Sequence, residues 1–143
     1  MKKHVLLFIH LVFGSIAVFA QDIAASQVPS VVINQFNTDF PKAKDVEWEQ
    51  KSNGYKVDFE QGWNKDFKVW YAADGKQLKS VEDLTKNELP KSILSAINKD
   101  YKNYHIDDAE KITEDKKVSY KVELEYKNDE KIIYFNEQGL PIK

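Results

Sequence analysis

One short pattern occurs twice in this chain, and it constrains the fold more than any other feature. Tyr55-Lys56-Val57-Asp58-Phe59-Glu60 is echoed by Tyr120-Lys121-Val122-Glu123-Leu124-Glu125, in the order aromatic, lysine, valine, acid, apolar, acid. Apolar and charged side chains alternate in both copies, the period of a strand with one buried and one wet face. The repetition reaches past the strand. Val28-Pro29 opens a stripe of Val32, Phe36 and Phe40, and Leu89-Pro90 opens a second of Ile93, Ile97 and Tyr101, about 61 residues further on. Apolar residues four apart line one side of a helix. A proline at the first turn costs little, because its missing N–H has no partner there anyway.

Strand signals fill the space after each helix. Val46 and Trp48 alternate with Glu47 and Glu49, which predicts a strand over 44–50 with Trp48 in the core. Ser52-Asn53-Gly54 is a turn leading into the first copy of the motif. Phe67, Val69 and Tyr71 then alternate with Lys68 and Trp70, and Asp74-Gly75 turns the chain into a short segment over 76–79. In the second half the corresponding strands are expected over 106–113, 120–126 and 132–135, with a Gln138-Gly139 turn before a last strand over 140–143.

The predicted fold class is α+β: a tandem repeat of two α-β(3–4) units, residues 28–79 and 89–143. Together they would form one antiparallel sheet of about eight strands with helices packed on one face. Residues 80–88 read as a linker, in which Ser80-Val81-Glu82-Asp83 and Thr85-Lys86-Asn87-Glu88 both resemble capping boxes. A unit of about sixty residues is marginal alone, so the two are expected to share a single domain over 28–143. Antiparallel sheets tolerate one solvated face, which suits the charged alternates of the repeated motif.

The N-terminus carries an export signal. Lys2 and Lys3 precede a mostly apolar run, and Val18-Phe19-Ala20 supplies residues a signal peptidase reads. Residues 1–20 are therefore predicted to be a cleaved signal peptide, and residues 21–27 a flexible leader of a periplasmic or secreted protein. The apolar run is shorter than the ~20 residues of a membrane span, so no membrane insertion is expected after cleavage. Cysteine is absent, which excludes disulfides. Every basic residue other than histidine is lysine, and the formal charge is −2. Without arginine, and with acids in excess, nucleic acid is not an expected partner.

The valine- or leucine-proline helix start, its aromatic end, the Tyr-Lys-Val strand and the Asp-Gly turn resemble the PepSY-like family. These are small exported proteins abundant in Bacteroidetes, whose fold is similar to that of beta-lactamase inhibitor protein. The resemblance spans Val28 to Lys143 as two copies. It implies a shared sheet whose open face could grip a partner, and it brings no catalytic motif with it.

The residues themselves point the same way. His105 is the single histidine after the leader, and no Gly-x-Ser-x-Gly elbow or glycine-rich phosphate cradle exists. One histidine without cysteine does not make a zinc site. No catalytic residue, metal or cofactor is expected. Asp58 with Glu60, and Glu123 with Glu125, could hold calcium if their strands lay close; otherwise they form a solvated face. Asp107-Asp108 reads as loop. Strand parity turns Trp70 and Tyr134 outward with Ile132, and Trp63 lies in the loop beside one of the two aromatics. Such side chains either anchor a partner or are covered by a loop, the other unit or a second copy.

The expected function is a non-catalytic exported binding module that engages a protein or peptide in the periplasm through its open sheet face. Trp63, Trp70, Ile132 and Tyr134 are the expected anchors, with Lys56, Asp58, Glu60 and Lys121 setting specificity. Inhibition of a peptidase or other exported enzyme is the narrower form that the resemblance implies. A calcium- or glycan-binding protein is the alternative.

Overall fold

Strict alternation of apolar and charged residues leaves a strand one way to bury its apolar side, and this chain does so with helices laid over one sheet. A computed structural model describes residues 21–63 and 65–142; the expected signal peptide lies outside the described residues. In chain order the elements are β1 (Gln21–Ile23), a 3-10 turn (Ala25–Gln27), α1 (Ser30–Asp39), β2 (Lys44–Lys51), β3 (Gly54–Gln61), β4 (Lys65–Tyr71) and β5 (Gln77–Asp83). A second 3-10 turn (Lys86–Glu88) follows, then α2 (Lys91–Asp100), β6 (His105–Glu114), β7 (Lys117–Tyr126), β8 (Asp129–Asn136) and β9 (Pro141–Ile142). The nine strands form one open antiparallel sheet, β1 to β9 in sequence order, so the class is α+β.

Pro29 and Pro90 stand immediately before their helices. The Pro29 carbonyl accepts from the Val32 and Ile33 amides, and the Pro90 carbonyl from those of Ile93 and Leu94. Each helix lays its stripe on the strands that follow it. Val32 and Phe36 pack with Trp48, Val57, Phe59, Val69 and Tyr71. Ile93 and Ile97 pack with Tyr120, Val122, Leu124 and Phe135. Both helices lie on the same side, because the register carries one face across the sheet through Val57, Val69, Ser80, Thr113 and Val118. The opposite face runs through Asp58, Lys68, Val81, Ile112, Ser119 and Asn136.

Four sequence expectations are corrected. Residues 21–23 of the expected leader are a strand paired with β2, and 25–27 a 3-10 turn, which makes the count nine rather than about eight. Residues 80–83 of the expected linker belong to β5, which pairs with β6 and joins the halves. Only the second capping pattern is real: Glu88 accepts from the Thr85 amide at 2.8 Å and its hydroxyl at 2.9 Å, while Ser80 is in mid-strand. Trp48 is core as expected, but Val46 is exposed, because the pairing slips between Lys44 and Glu47 where Asp45 has φ +49°.

Polarity inverts where the halves meet. On β5 and β6 the helix side carries Ser80, Glu82, Lys111 and Thr113, while Val81 and Ile112 pair on the other side. The core is accordingly two clusters, one beneath each helix.

Candidate functional site

With helices covering one face, the other offers a broad side-chain surface. β3 and β4 place Lys56 opposite Trp70, and β7 and β8 place Lys121 opposite Tyr134. These are corresponding pairs in the two halves, but β4 and β8 are four strands apart, roughly 19 Å at ~4.8 Å per strand. The aromatics therefore do not form one patch.

Their surroundings also differ. Trp70 is half-covered by lysines: the Lys56 ammonium lies 5.9 Å and the Lys79 ammonium 5.4 Å from its ring centroid. Cations over an indole face are held by its quadrupole. Trp70 also walls a shallow cleft of about 440 Å³ with Gln50, Asn53, Leu78 and Lys79. Tyr134 and Ile132 are open, at 41% and 51% exposure. Sequence reasoning missed Ile142, which pairs with Tyr134 across β9 and is 42% exposed. The signal for it was the Gly139 turn, which folds the last residues back beside β8.

Trp63 is fully exposed in the turn between β3 and β4. It lines a cleft with Gln61, Lys65, Phe67, Thr85 and Glu88 at the sheet end near the second 3-10 turn. Trp70 lies five residues further along β4 than Lys65, roughly 17 Å at ~3.3 Å per residue. The sequence expectation that Trp63 sits beside one of the outward aromatics is thus corrected.

Charged residues on the open face are knit unevenly. Lys56 lies 2.9 Å from Glu49 and 2.6 Å from Asp58. Partial burial opposes its charge, yet the hydrogen bonds to those acids hold its pKa above the ordinary lysine value. Lys121 is raised as well, chiefly by its hydrogen bond to Glu123. Elsewhere acid meets acid: Glu60 pairs with Asp66 and Asp83 with Glu110. Burial raises the Asp83 pKa; Lys68 opposes the rise, and Asp108, Glu110 and Asp66 reinforce it.

Asp58 and Glu60 on β3 do not meet Glu123 and Glu125 on β7, since three strands intervene. The four-carboxylate calcium site considered from sequence is not assembled. A different group does converge. His105 pairs with Glu125, its Nε2 lying 3.3 Å from a Glu125 carboxylate oxygen. An irregularity in pairing between Ile106 and Asp108 brings Asp107 close, so that one ligand atom from each of the three lies within 4.8 Å of the others. One imidazole and two carboxylates could hold a divalent cation, given further ligands from water. No Cys-His pair accompanies them, since the described residues hold no cysteine.

No helix among the described residues is long and apolar enough to cross a membrane. A family model described as "Putative beta-lactamase-inhibitor-like, PepSY-like" matches the chain twice, over residues 16–79 and 63–143. No curated protein matches it. Among solved structures, a DUF2874 family protein from Bacteroides uniformis is 22% identical, with a TM-score of 0.70 over 80% of this chain and 86% of that one. A BLIP-like protein from Bacteroides fragilis is 26% identical, with a TM-score of 0.67 over 80% and 84%. A protein from Bacteroides eggerthii, described as a putative periplasmic protein, is 18% identical, with a TM-score of 0.71 over 81% and 86%.

Proposed function

The chain belongs to the PepSY-like, beta-lactamase-inhibitor-like family, and from that premise we propose that it is a non-catalytic exported module that binds a protein through its open sheet face. The carrying observation is the asymmetry of the sheet. One face is closed by two helices, while the other exposes Ile132, Tyr134 and Ile142 side by side. Apolar groups stay on a wet face at a cost unless a partner covers them, and aromatic anchors with polar surroundings are typical of protein interfaces. Lys121, opposite Tyr134, orients the rim of that patch, and Trp70 with Lys56, Asp58 and Glu60 forms a second contact region. Trp63, at the sheet end, is a separate contact point.

Two finer readings go with this proposal. The chain is two tandem copies of one unit, supported by the double match to the family model and by the recurring order of 3-10 turn, helix and strands. It acts in the periplasm or outside the cell after residues 1–20 are removed, and an exported enzyme is the kind of protein it would inhibit.

Affinity capture from periplasmic extract tests the proposal, with Ile132→Ala/Tyr134→Ala and a helix-side control, Asn34→Ala/Asn98→Ala. A partner retained by the wild type and the control but lost by the open-face variant is the expected result. A partner lost equally by both variants, or by neither, would overturn the open face as the binding surface.

A further inference from the structure

The open face is unevenly charged, and the imbalance says what would cover it. Glu60 and Asp66 face each other across β3 and β4, as Asp83 and Glu110 do across β5 and β6. Since Phe67 pairs with Glu82, Asp66 and Asp83 are also brought opposite each other, and one acidic row crosses four adjacent strands. Like charges directly opposed across strands destabilise a sheet. The nearby lysines do not relieve this evenly. Lys68 and Lys121 both turn to Glu110, at 3.6 and 3.5 Å. Among the described residues no lysine ammonium comes within 4.0 Å of the carboxylates of Glu60, Asp66 or Asp83. Lys121 ties this row to the patch, because it pairs with both Glu110 and Tyr134.

We infer that the open face is complementary to a cationic protein surface: lysine or arginine side chains over the row of Glu60, Asp66 and Asp83, and apolar groups over Ile132, Tyr134 and Ile142. This deepens the open-face reading and rests on it. Lys44 stands opposite Glu60 across β2 without forming an ion pair, so a partner's cation would meet carboxylates with no ammonium within 4.0 Å, and binding would relieve repulsion already present in the free protein. Phosphate-bearing nucleic acid and anionic lipid are repelled by the same row. Charge complementarity of this kind sets partner choice and association rate more than total affinity.

The test titrates the protein, expressed from its full sequence and purified, with two soluble peptides: one alternating threonine with lysine, the other threonine with glutamate. Calcium chloride forms a third arm, and binding is followed by amide chemical shifts. The lysine peptide should shift amides of β4, β5 and β6 around Asp66, Asp83 and Glu110, with a Kd that rises about fivefold or more in Asp66→Asn/Asp83→Asn. The glutamate peptide should shift nothing. Shifts spread evenly over surface acids such as Asp39, Asp74 and Asp100, or an unchanged Kd in the double variant, would overturn the inference. So would calcium that shifts the same amides and displaces the peptide, which would make the row a cation site. If a captured partner is lost by Ile132→Ala/Tyr134→Ala but retained by Asp66→Asn/Asp83→Asn, the open face stands as the binding surface and its cationic partner does not.

Discussion

Tyr134 and Phe135 are neighbours in sequence with opposite surroundings, and replacing each with alanine measures the two faces of the sheet separately. Phe135 is fully buried among Ile93, Ile97, Val122 and Leu124, whereas Tyr134 is 41% exposed on the open face. Truncating a buried phenylalanine removes its transfer free energy and leaves a cavity, about 3–5 kcal/mol together. Truncating a surface tyrosine with no hydrogen bond to lose costs about 0.5 kcal/mol or less. Against a total stability of roughly 5–15 kcal/mol, Phe135→Ala should bring the protein near the edge of folding, while Tyr134→Ala should hardly register. In a chain of this size 1 kcal/mol moves Tm by roughly 3–6 °C, so the thermal midpoints should differ by about 10 °C or more. Urea unfolding followed by circular dichroism gives both numbers. A loss above ~2 kcal/mol for Tyr134→Ala would mean that its ring is part of the core, and the open-face argument would fail with it.

Three further outcomes are expected. Gly62 and Gly139 share a left-handed backbone, φ +75° and +76°, but an added Cβ at Gly62 meets nothing while at Gly139 it comes 2.5 Å from the Ser92 carbonyl oxygen. Gly62→Ala should cost about 1–2 kcal/mol in urea unfolding, and Gly139→Ala clearly more, because the turn must move off the start of α2; equal losses would refute the clash. The hydrogen bond from Lys65, followed by those from Thr85, lowers the Glu88 pKa from 4.5 to about 2. A depressed acid stabilises the fold above its unfolded pKa and loses that contribution as pH falls from about 4.5 to about 2, so Glu88→Gln should flatten Tm against pH in that window. Asp83 has the opposite sign: its raised pKa means that its charge weakens the fold once ionised. Asp83→Asn should therefore raise Tm at neutral pH, with the gain disappearing below the ordinary aspartate pKa near 3.8; a lower Tm at neutral pH would contradict the cost of burying that charge beside other acids.

The parts of this fold legible in sequence are those where one period runs uninterrupted. Val32 and Phe36, Ile93 and Ile97, and the apolar sides of β3, β4 and β7 all announce themselves by spacing alone, and they form the two cores. The second half of β5, residues 80–83, reads as linker because its polarity is reversed. Ser80 and Glu82 lie on the helix side and Val81 on the open side, so Ser80-Val81-Glu82-Asp83 looks like the start of a helix. Val46 departs from the alternation because one slip at Asp45 moves a side chain out of register, and a lone aspartate inside an alternating run is a weak sign of it. Within the site, parity alone set Ile132 and Tyr134 outward. The lysine cover on Trp70 and the opposed acids depend on which strands lie side by side, which a strand's own residues do not encode.

β1 also explains why the sheet has nine strands. It runs beside β2 and leads through a 3-10 turn into α1, just as β5 runs beside β6 and leads through a 3-10 turn into α2. On the proposed tandem reading the recurring unit is strand, turn, helix and then three strands, with β5 ending one copy's meander and leading into the next. Among the described residues the outer strands are β1 and β9, and β9 begins with Pro141, which has no N–H to donate. Proline in an edge strand resists pairing with another chain's strand. The β9 edge is therefore a poor docking site, which favours the side chains of the uncovered face for the proposed recognition.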